Sequence, residues 1–118
     1  MATILIVEDD SIQAAGLVLA VMKLGHEPLP LAATVSQALE VLAMATPDVA
    51  LVDLILRGED AGSVVEALAT RKVPLAVLIG AEQEVDRFRE HLVIHKPVDD
   101  ETVAGAIDFL LGQRSHPD

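Results

Sequence analysis

The sequence contains no cysteine, which excludes disulfides, zinc–thiolate sites and thiol nucleophiles. Tryptophan and tyrosine are also absent, and Phe88 and Phe109 are the only aromatic residues. A platform that stacks nucleic-acid bases and an aromatic clamp for a cofactor therefore lack the side chains from which they are built.

Basic residues are scarce as well. Lysine and arginine number 8 against 19 acidic residues, so the formal net charge is −11. Because such a surface repels a phosphate backbone, we expect no direct contact with nucleic acid. No basic amphipathic helix is evident, no apolar run approaches the roughly 18 residues of a membrane span, and the N-terminus has no basic segment typical of a signal peptide. These absences predict a cytoplasmic protein without a membrane partner.

The chain is short but rich in apolar residues. Its 118 residues fit one domain, and 52% of them are hydrophobic, which is enough for one core and too much for intrinsic disorder. We predict a single domain over residues 1–118, with a core of about residues 3–112 and a polar tail at 113–118.

Short apolar runs alternate with amphipathic runs along the chain. The apolar runs predict strands at residues 4–7, 26–32, 49–52, 75–79 and 92–95, the second being a weak edge strand because of its two prolines. Three helices are predicted at about residues 11–24, 34–45 and 63–72. A fourth helix of about ten residues is predicted to end at roughly residue 91, and a fifth to run from a cap at 99 through 111. The first helix carries one apolar face formed by Ile12, Ala15, Leu19 and Met22.

Five strands alternating with five helices predict an α/β fold, a doubly wound parallel sheet with helices on both faces. In such folds, sites form at the carboxyl ends of the strands, near the point where the strand order reverses. The residues at those ends are Glu8, Asp9 and Asp10, then Asp53, then Ile79 and Gly80, then Lys96 and Pro97.

This set of strand ends would bring carboxylates and one ammonium to a single edge. Asp9 and Asp53 offer the hard oxygen ligands that suit Mg²⁺, and Lys96 offers a positive charge for a phosphoryl oxygen or for Asp53. A carboxylate nucleophile beside Mg²⁺ and a lysine is the equipment for an aspartyl phosphate. Taken singly, the acids after the first strand are more often a helix cap, and Lys-Pro is more often a surface turn. Asp53 is the stronger signal, because an acid that ends a buried strand is costly without a partner.

Three segments resemble the receiver domain of two-component response regulators. They are ILIVEDD at residues 4–10, PDVALVDLILRG at 47–58 and KP at 96–97, and the resemblance covers about residues 3–112. It implies the flavodoxin-like (CheY-like) fold, with five parallel strands in the order 2-1-3-4-5 and five flanking helices.

The resemblance also implies a role for each matching residue. Asp53 would be the phosphoacceptor, taking a phosphoryl group from a histidine kinase or a histidine phosphotransfer protein. Asp9 and Asp53 would bind Mg²⁺ directly, with the backbone carbonyl of Ile55 as a further ligand and Glu8 assisting through water. Lys96 would contact the phosphoryl group.

The chain departs from the family pattern at the positions that report phosphorylation. Receivers usually carry threonine or serine at the end of the fourth strand, where this chain has Ile79 or, after a one-residue shift, Gly80. Val93 stands at the position of the usual aromatic residue, three before the lysine, and Arg57 replaces the usual proline before Gly58. We expect an intact acceptor site without the Thr/Tyr relay.

Two hypotheses within the family stay open. The first is a stand-alone receiver, a phosphoacceptor that catalyses only its own Mg²⁺-dependent phosphorylation and dephosphorylation and signals by binding a downstream protein. The second is a pseudo-receiver, an interaction module whose state does not depend on phosphate. Asp9, Asp53 and Lys96 favour the first, whereas Ile79 and Val93 favour the second.

Hypotheses from other classes fit less well. A flavodoxin-like electron carrier would need a Ser/Thr/Gly phosphate loop after the first strand and aromatic residues around the flavin. A hydrolase with an aspartyl nucleophile on the first strand would need an Asp-x-Asp pattern, which EDDS at residues 8–11 does not supply.

The oligomeric state is also open. Receivers often pair through the fourth helix, fifth strand and fifth helix, so a homodimer through that face is one expectation. The charged residues that could support it, or could equally be solvated, are Arg87, Arg89, Asp99, Asp100 and Glu101.

Overall fold

The computed structural model describes residues 1–80 and 90–113. In chain order its elements are β1 (Thr3–Val7), α1 (Ser11–Lys23), β2 (Glu27–Pro28), α2 (Val35–Met44), β3 (Val49–Asp53), β4 (Ile55–Leu56), β5 (Glu59–Asp60), α3 (Gly62–Thr70), β6 (Leu75–Ile79), β7 (Leu92–His95) and α4 (Asp100–Gly112). The predicted fourth helix falls mainly on residues 81–89, outside the described residues, so the predicted fifth helix is α4 and the predicted fifth strand is β7.

Five strands form one parallel sheet in the order β2-β1-β3-β6-β7. This is the predicted order 2-1-3-4-5, and the α/β fold is confirmed. The strand order reverses between β1 and β3, which opens a crevice at the carboxyl ends of these two strands. The edge strand β2 is only two residues long. Glu27 and Leu29 donate backbone hydrogen bonds toward β1, so Pro28 and Pro30, which alternate with them, lie on the unpaired side of the edge strand, where proline is tolerated.

Apolar residues cover both faces of the sheet. Successive side chains of a strand point to opposite faces, so Leu5 and Val7 join one core cluster while Ile4 and Ile6 join the other. The first cluster includes buried residues of α2 and α3, and the second includes buried residues of α1 and α4. Continuous apolar strands such as β3 and β6 are therefore buried throughout, as expected for a parallel sheet with helices on both sides.

The packing of α1 differs from the prediction. Ala14, Leu17, Ala20 and Val21 are the buried residues of this helix. The predicted apolar face of Ile12, Ala15, Leu19 and Met22 is exposed instead, and Ile12 retains 83% of its accessible surface. The pattern was ambiguous because α1 carries apolar residues on more than one side.

No helix in the described ranges is long and apolar enough to cross a membrane.

A two-stranded antiparallel hairpin follows β3, in the segment between the strand predicted at 49–52 and the helix predicted at 63–72. Leu56 pairs with Glu59, which leaves Arg57 and Gly58 as the two turn residues. Both have positive φ, 51° and 82°, as a two-residue hairpin turn of the primed type requires. Glycine adopts this backbone freely, whereas Arg57 does so at a cost that the hairpin must offset.

Candidate functional site

The predicted strand-end residues lie together at the carboxyl edge of the sheet. Glu8 and Asp9 follow β1, Asp53 is the last residue of β3, and Lys96 follows β7. We call these four residues the acid edge. They border a cleft of about 510 Å³, whose lining is Glu8, Asp9, Asp10, Gln13, Asp53, Ile55, Gly80 and Lys96.

Three carboxylates of the acid edge are close enough to share one ligand. One oxygen each from Glu8, Asp9 and Asp53 lies within 4.8 Å of the others. Glu8 is 1% exposed and Asp53 is 4% exposed, whereas Asp9 is partly open to solvent. Carboxylates this close repel each other unless a cation neutralises them.

Lys96 supplies part of that neutralisation. Its Nζ donates a hydrogen bond of 2.8 Å to Asp53 Oδ2 and lies 3.1 Å from Glu8 Oε1. Its backbone N–H donates to the carbonyl of Ile79, which fixes the position of the residue beside β6. Burial opposes the charged form of Lys96, but the hydrogen bond to Asp53 and the two nearby charges outweigh burial and raise the pKa of Lys96 above its usual value.

Glu8 is the least satisfied acid of the group. Its Oε2 accepts a hydrogen bond from the backbone N–H of Asp10, but its Oε1 is the one buried side-chain oxygen in residues 1–80 and 90–113 that has no hydrogen-bond partner. The contact with Lys96 is thus an ion pair by distance without hydrogen-bond geometry. Burial, together with the neighbouring Asp53, raises the pKa of Glu8 to about 7.

The hairpin after β3 holds Asp9 in place. The backbone N–H of Arg57 donates a hydrogen bond of 2.8 Å to Asp9 Oδ2. Burial alone would raise the pKa of Asp9, but this hydrogen bond, with help from other donors and from the charge of Lys96, lowers it below its usual value. Asp10, by contrast, caps α1 by accepting from the backbone N–H groups of Ile12 and Gln13.

The residues present fit a divalent cation such as Mg²⁺. Three carboxylates against one ammonium leave an excess of negative charge, the ligands are hard oxygens, and one buried oxygen of Glu8 lacks a donor. Ile55, whose backbone carbonyl the resemblance implies as a ligand, lies in β4 and lines the same cleft.

The switch positions, by which we mean Ile79, Gly80 and Val93, carry neither a hydroxyl nor an aromatic ring. The Ile79 side chain is fully buried in the core cluster beneath α2 and α3, whereas Gly80 lines the cleft. Of the two positions left open by the sequence, Gly80 is therefore the one that faces the acid edge. Val93 lies in β7 and packs, partly buried, against the same core cluster.

Two residues that contribute to the site were not predicted from the sequence. Gln13 lines the cleft from the first turn of α1, and the Arg57 backbone N–H positions Asp9 from 48 residues away. Nothing in the local pattern around Gln13 marks it. The Arg57-Gly58 pair could have indicated a hairpin turn, since glycine at the second position is typical of such turns.

Comparison with known proteins identifies the architecture. No protein-family model matches the chain, and no curated protein matches it. Among solved structures it is similar to SdrG from Sphingomonas melonis Fr1, with 35% identity over 94% of this chain and 97% of that one and a TM-score of 0.84.

Two further structures are similar and are described as receiver domains. The receiver domain of the response regulator PhyR from Erythrobacter litoralis has 26% identity over 99% of this chain and 95% of that one, with a TM-score of 0.87. The signal receiver domain of a modulated diguanylate cyclase from Desulfovibrio desulfuricans G20 has 26% identity over 96% and 95%, with a TM-score of 0.84. With the acid edge in place on this fold, the chain belongs to the receiver-domain family of response regulators and has the signalling role of that family.

Proposed function

We propose that this receiver accepts a phosphoryl group on Asp53 in the presence of Mg²⁺. The observation that carries the proposal is the position of the Asp53 carboxylate, which hydrogen-bonds Lys96 at 2.8 Å and shares a 4.8 Å cluster with Glu8 and Asp9. A structural ion pair would need Lys96 and one carboxylate. The two additional acids add repulsion, which a purely structural role leaves unexplained.

The chemistry is a phosphoryl transfer to a carboxylate. A carboxylate oxygen of Asp53 attacks phosphorus, the new O–P bond forms as the donor's bond to phosphorus breaks, and the donor group leaves with that electron pair. Lys96 then neutralises an oxygen of the transferred phosphoryl group, since its Nζ already lies against the acceptor carboxylate.

Asp9, Asp53 and the Ile55 carbonyl would hold Mg²⁺, with Glu8 assisting through water. The bound ion would offset the negative charges that meet when a phosphoryl group approaches the carboxylates. The Arg57 backbone N–H keeps Asp9 oriented, and the low pKa of Asp9 keeps it ionised for this purpose.

The partners follow from the same chemistry. The phosphoryl donor would be a histidine kinase or a histidine phosphotransfer protein, and the output a downstream protein bound in the cytoplasm. The chain would act as a phosphoacceptor rather than as an enzyme on other substrates. The homodimer stays a prediction. Of the face through which it would form, the structure describes β7 and α4, including the half-exposed Phe109. Arg87 and Arg89 lie outside the described residues.

A pseudo-receiver is the second candidate function. The switch positions favour it, because neither Gly80 nor Val93 has a side-chain hydroxyl or ring that could move in response to a phosphoryl group. The acid edge would then serve as a charged surface for a constitutive protein partner.

Intact mass spectrometry separates the two functions. The chain is incubated with acetyl phosphate and Mg²⁺, and the proposal predicts a gain of roughly 80 Da, one phosphoryl group. Asp53→Asn should show no gain because an amide is not a nucleophile of this kind. Asp100→Asn, which removes an exposed acid outside the acid edge, should gain mass like the wild type. An unchanged wild-type mass, or a mass gain in Asp53→Asn, would refute the assignment and favour the pseudo-receiver.

A further inference from the structure

One side of α1 carries an apolar stripe that the rest of residues 1–80 and 90–113 leaves open to solvent. Leu19 and Met22 retain 56% and 57% of their accessible surface, and Ile12 and Ala15 are exposed as well. We call these four residues the α1 stripe. At 3.6 residues per turn, the stripe lies on the side of the helix opposite its buried residues. A partner could therefore cover the stripe without disturbing the packing of α1 on the sheet.

The spacing of the α1 stripe is that of two helices packed side by side. Its members are separated by three, four and three residues, as are the a and d positions of a coiled coil. When two such helices run antiparallel, an a position of one packs against a d position of the other. Ile12 would then meet Met22 of the second helix, and the small Ala15 would meet the large Leu19. The stripe is thus complementary to itself, as a two-fold symmetric interface requires.

Charge makes α1 the helix on which two copies of this chain repel each other least. The net charge of −11 opposes self-association. The other three helices of the described ranges carry one or more acids, namely Glu40 of α2, Glu66 of α3, and Asp100, Glu101 and Asp108 of α4. In α1 the only charged residue is Lys23. Contact through α1 therefore keeps acidic side chains out of the centre of an interface.

The ends of α1 also favour the antiparallel orientation. Lys23 lies in the last turn, and the exposed Asp10 caps the first turn. Antiparallel helices bring Lys23 of each copy near Asp10 of the other, whereas parallel helices bring like charges together. Within its own chain Lys23 has only an exposed contact with Asp100 at 3.5 Å, which contributes little.

We propose that the α1 stripe is covered by a second copy of this chain, with the two α1 helices antiparallel across a two-fold axis level with residue 17. The stripe spans about three helical turns. Because this is less than the interface of a stable dimer, the dimer is weak and exchanges with the monomer. Its surface differs from the β7 and α4 face considered above. Dimerisation through α1 does not depend on phosphorylation of Asp53, so its failure would leave the proposed function untouched.

Sedimentation velocity tests the association. The full chain is measured from micromolar to millimolar concentration at physiological ionic strength, without Mg²⁺ or phosphodonor, and the mean sedimentation coefficient should rise with concentration. Leu19→Glu places like charges close to the two-fold axis and should keep the chain monomeric throughout. Leu39→Glu makes the same change at an exposed leucine of α2, on the other side of the sheet, and should associate like the wild type.

Disulfide cross-linking tests the orientation, since the natural chain has no cysteine. Equal amounts of the Ile12→Cys and Met22→Cys chains are mixed at high concentration and oxidised mildly, and intact mass identifies each disulfide-linked pair. The antiparallel arrangement predicts that the mixed 12–22 pair exceeds the half expected from random pairing. Leu39→Cys, on α2, should cross-link to itself far less.

Several results would overturn the proposal. They are a wild-type chain that stays monomeric at millimolar concentration, association that survives Leu19→Glu, and a predominance of 12–12 and 22–22 pairs. Loss of association in Phe109→Glu but not in Leu19→Glu would place the dimer on the β7 and α4 face instead. If Leu19→Glu failed to fold, the cross-linked pairs would decide the matter on their own.

Discussion

The acid edge and the switch positions belong to the same sheet, with Gly80 at its carboxyl edge and Val93 further back in β7, yet they carry very different side chains. At the acid edge, three carboxylates lie within 4.8 Å of one another, and Lys96 Nζ is 2.8 Å from Asp53 Oδ2 and 3.1 Å from Glu8 Oε1. At the switch positions, Gly80 has no side chain, and Val93 is a β-branched residue with little freedom at χ1. A phosphoryl group on Asp53, as proposed above, would therefore meet no hydroxyl and no aromatic ring at the switch positions.

The absence of a hydroxyl at the switch positions corresponds to an approximate free energy. A hydroxyl that bonds a phosphoryl oxygen would supply one charge-assisted hydrogen bond of about 1.5–3 kcal/mol. A ligand shifts a two-state element only by its difference in contact energy between the states. Without that bond, the ratio of the two states changes by roughly ten- to a hundredfold less than in a receiver that has it.

The largest effect expected is on stability, from the loss of Lys96. Lys96→Ala leaves the buried carboxylates of Glu8 and Asp53 without their cation, so we expect the free energy of unfolding to fall by roughly 3 kcal/mol. Lys23→Ala is the control, because Lys23 and Asp100 form a pair whose side chains are 69% and 68% exposed, and its effect should stay within about 0.5 kcal/mol. Urea unfolding in the presence of a chelator measures both variants. Equal losses would mean that the acid edge is not an interacting cluster.

The next effect is a dependence of stability on pH that comes from Glu8. Its pKa is raised from 4.5 to about 7 in the folded chain, so the folded state binds more protons than the unfolded state between these values. Stability from this group is therefore present below pH 4.5 and is lost as pH rises through about 7, with a slope of at most about 1.4 kcal/mol per pH unit. Urea unfolding in chelator at several pH values measures the slope. Glu8→Gln should flatten it in this window, and an unchanged slope in that variant would assign the effect elsewhere.

Mg²⁺ should stabilise the fold by a comparable amount. A ligand at tenfold its dissociation constant adds about 1.4 kcal/mol, which for a domain of this size raises the melting temperature by roughly 5–10 °C. Thermal melts in Mg²⁺ and in chelator show the shift. It should vanish in Asp9→Ala and persist in Asp100→Asn, whereas equal melting points for the wild type in both buffers would count against a metal site.

The smallest effect concerns Gly80. Gly80→Ser adds a hydroxyl at a residue that is partly open to water. Its hydrogen bond to a phosphoryl mimic such as beryllofluoride should therefore contribute about 1 kcal/mol, or about fivefold in affinity, which is less than the roughly 1.5–3 kcal/mol of a fully formed charge-assisted bond. Gly80→Ala adds a Cβ without the hydroxyl and is the control. If serine and alanine have the same effect in an NMR titration, the missing hydroxyl is not what limits contact at this position.

Most of the strands and the positions of the acids at their ends were predictable from the sequence. The apolar runs at 75–79 and 92–95 became β6 and β7 with the same bounds, and the acids fell at the ends of β1 and β3, because a buried parallel strand is nearly continuous in apolar residues and a charge ends it. The strand order came from the resemblance, since periodicity alone does not pair strands.

The remainder depends on contacts between distant residues. The choice between Ile79 and Gly80 needed the structure, because a shift of one residue moves a side chain to the opposite face of the sheet. The hydrogen bond from the Arg57 backbone N–H to the Asp9 carboxylate joins residues 48 positions apart, and no pattern of side chains in the sequence indicates a backbone donor. The buried face of α1 was assigned wrongly because its apolar residues nearly encircle the helix.

Amide hydrogen exchange with and without beryllofluoride and Mg²⁺ tests most directly whether the acid edge acts without the switch positions. We predict that protection changes at residues 8–10, 53–58 and 96–98, next to the four charged side chains, and that β7 (Leu92–His95) changes much less. Changes in β7 that equal or exceed those at the acid edge would contradict this, and would show that another element of the fold replaces the missing hydroxyl and ring.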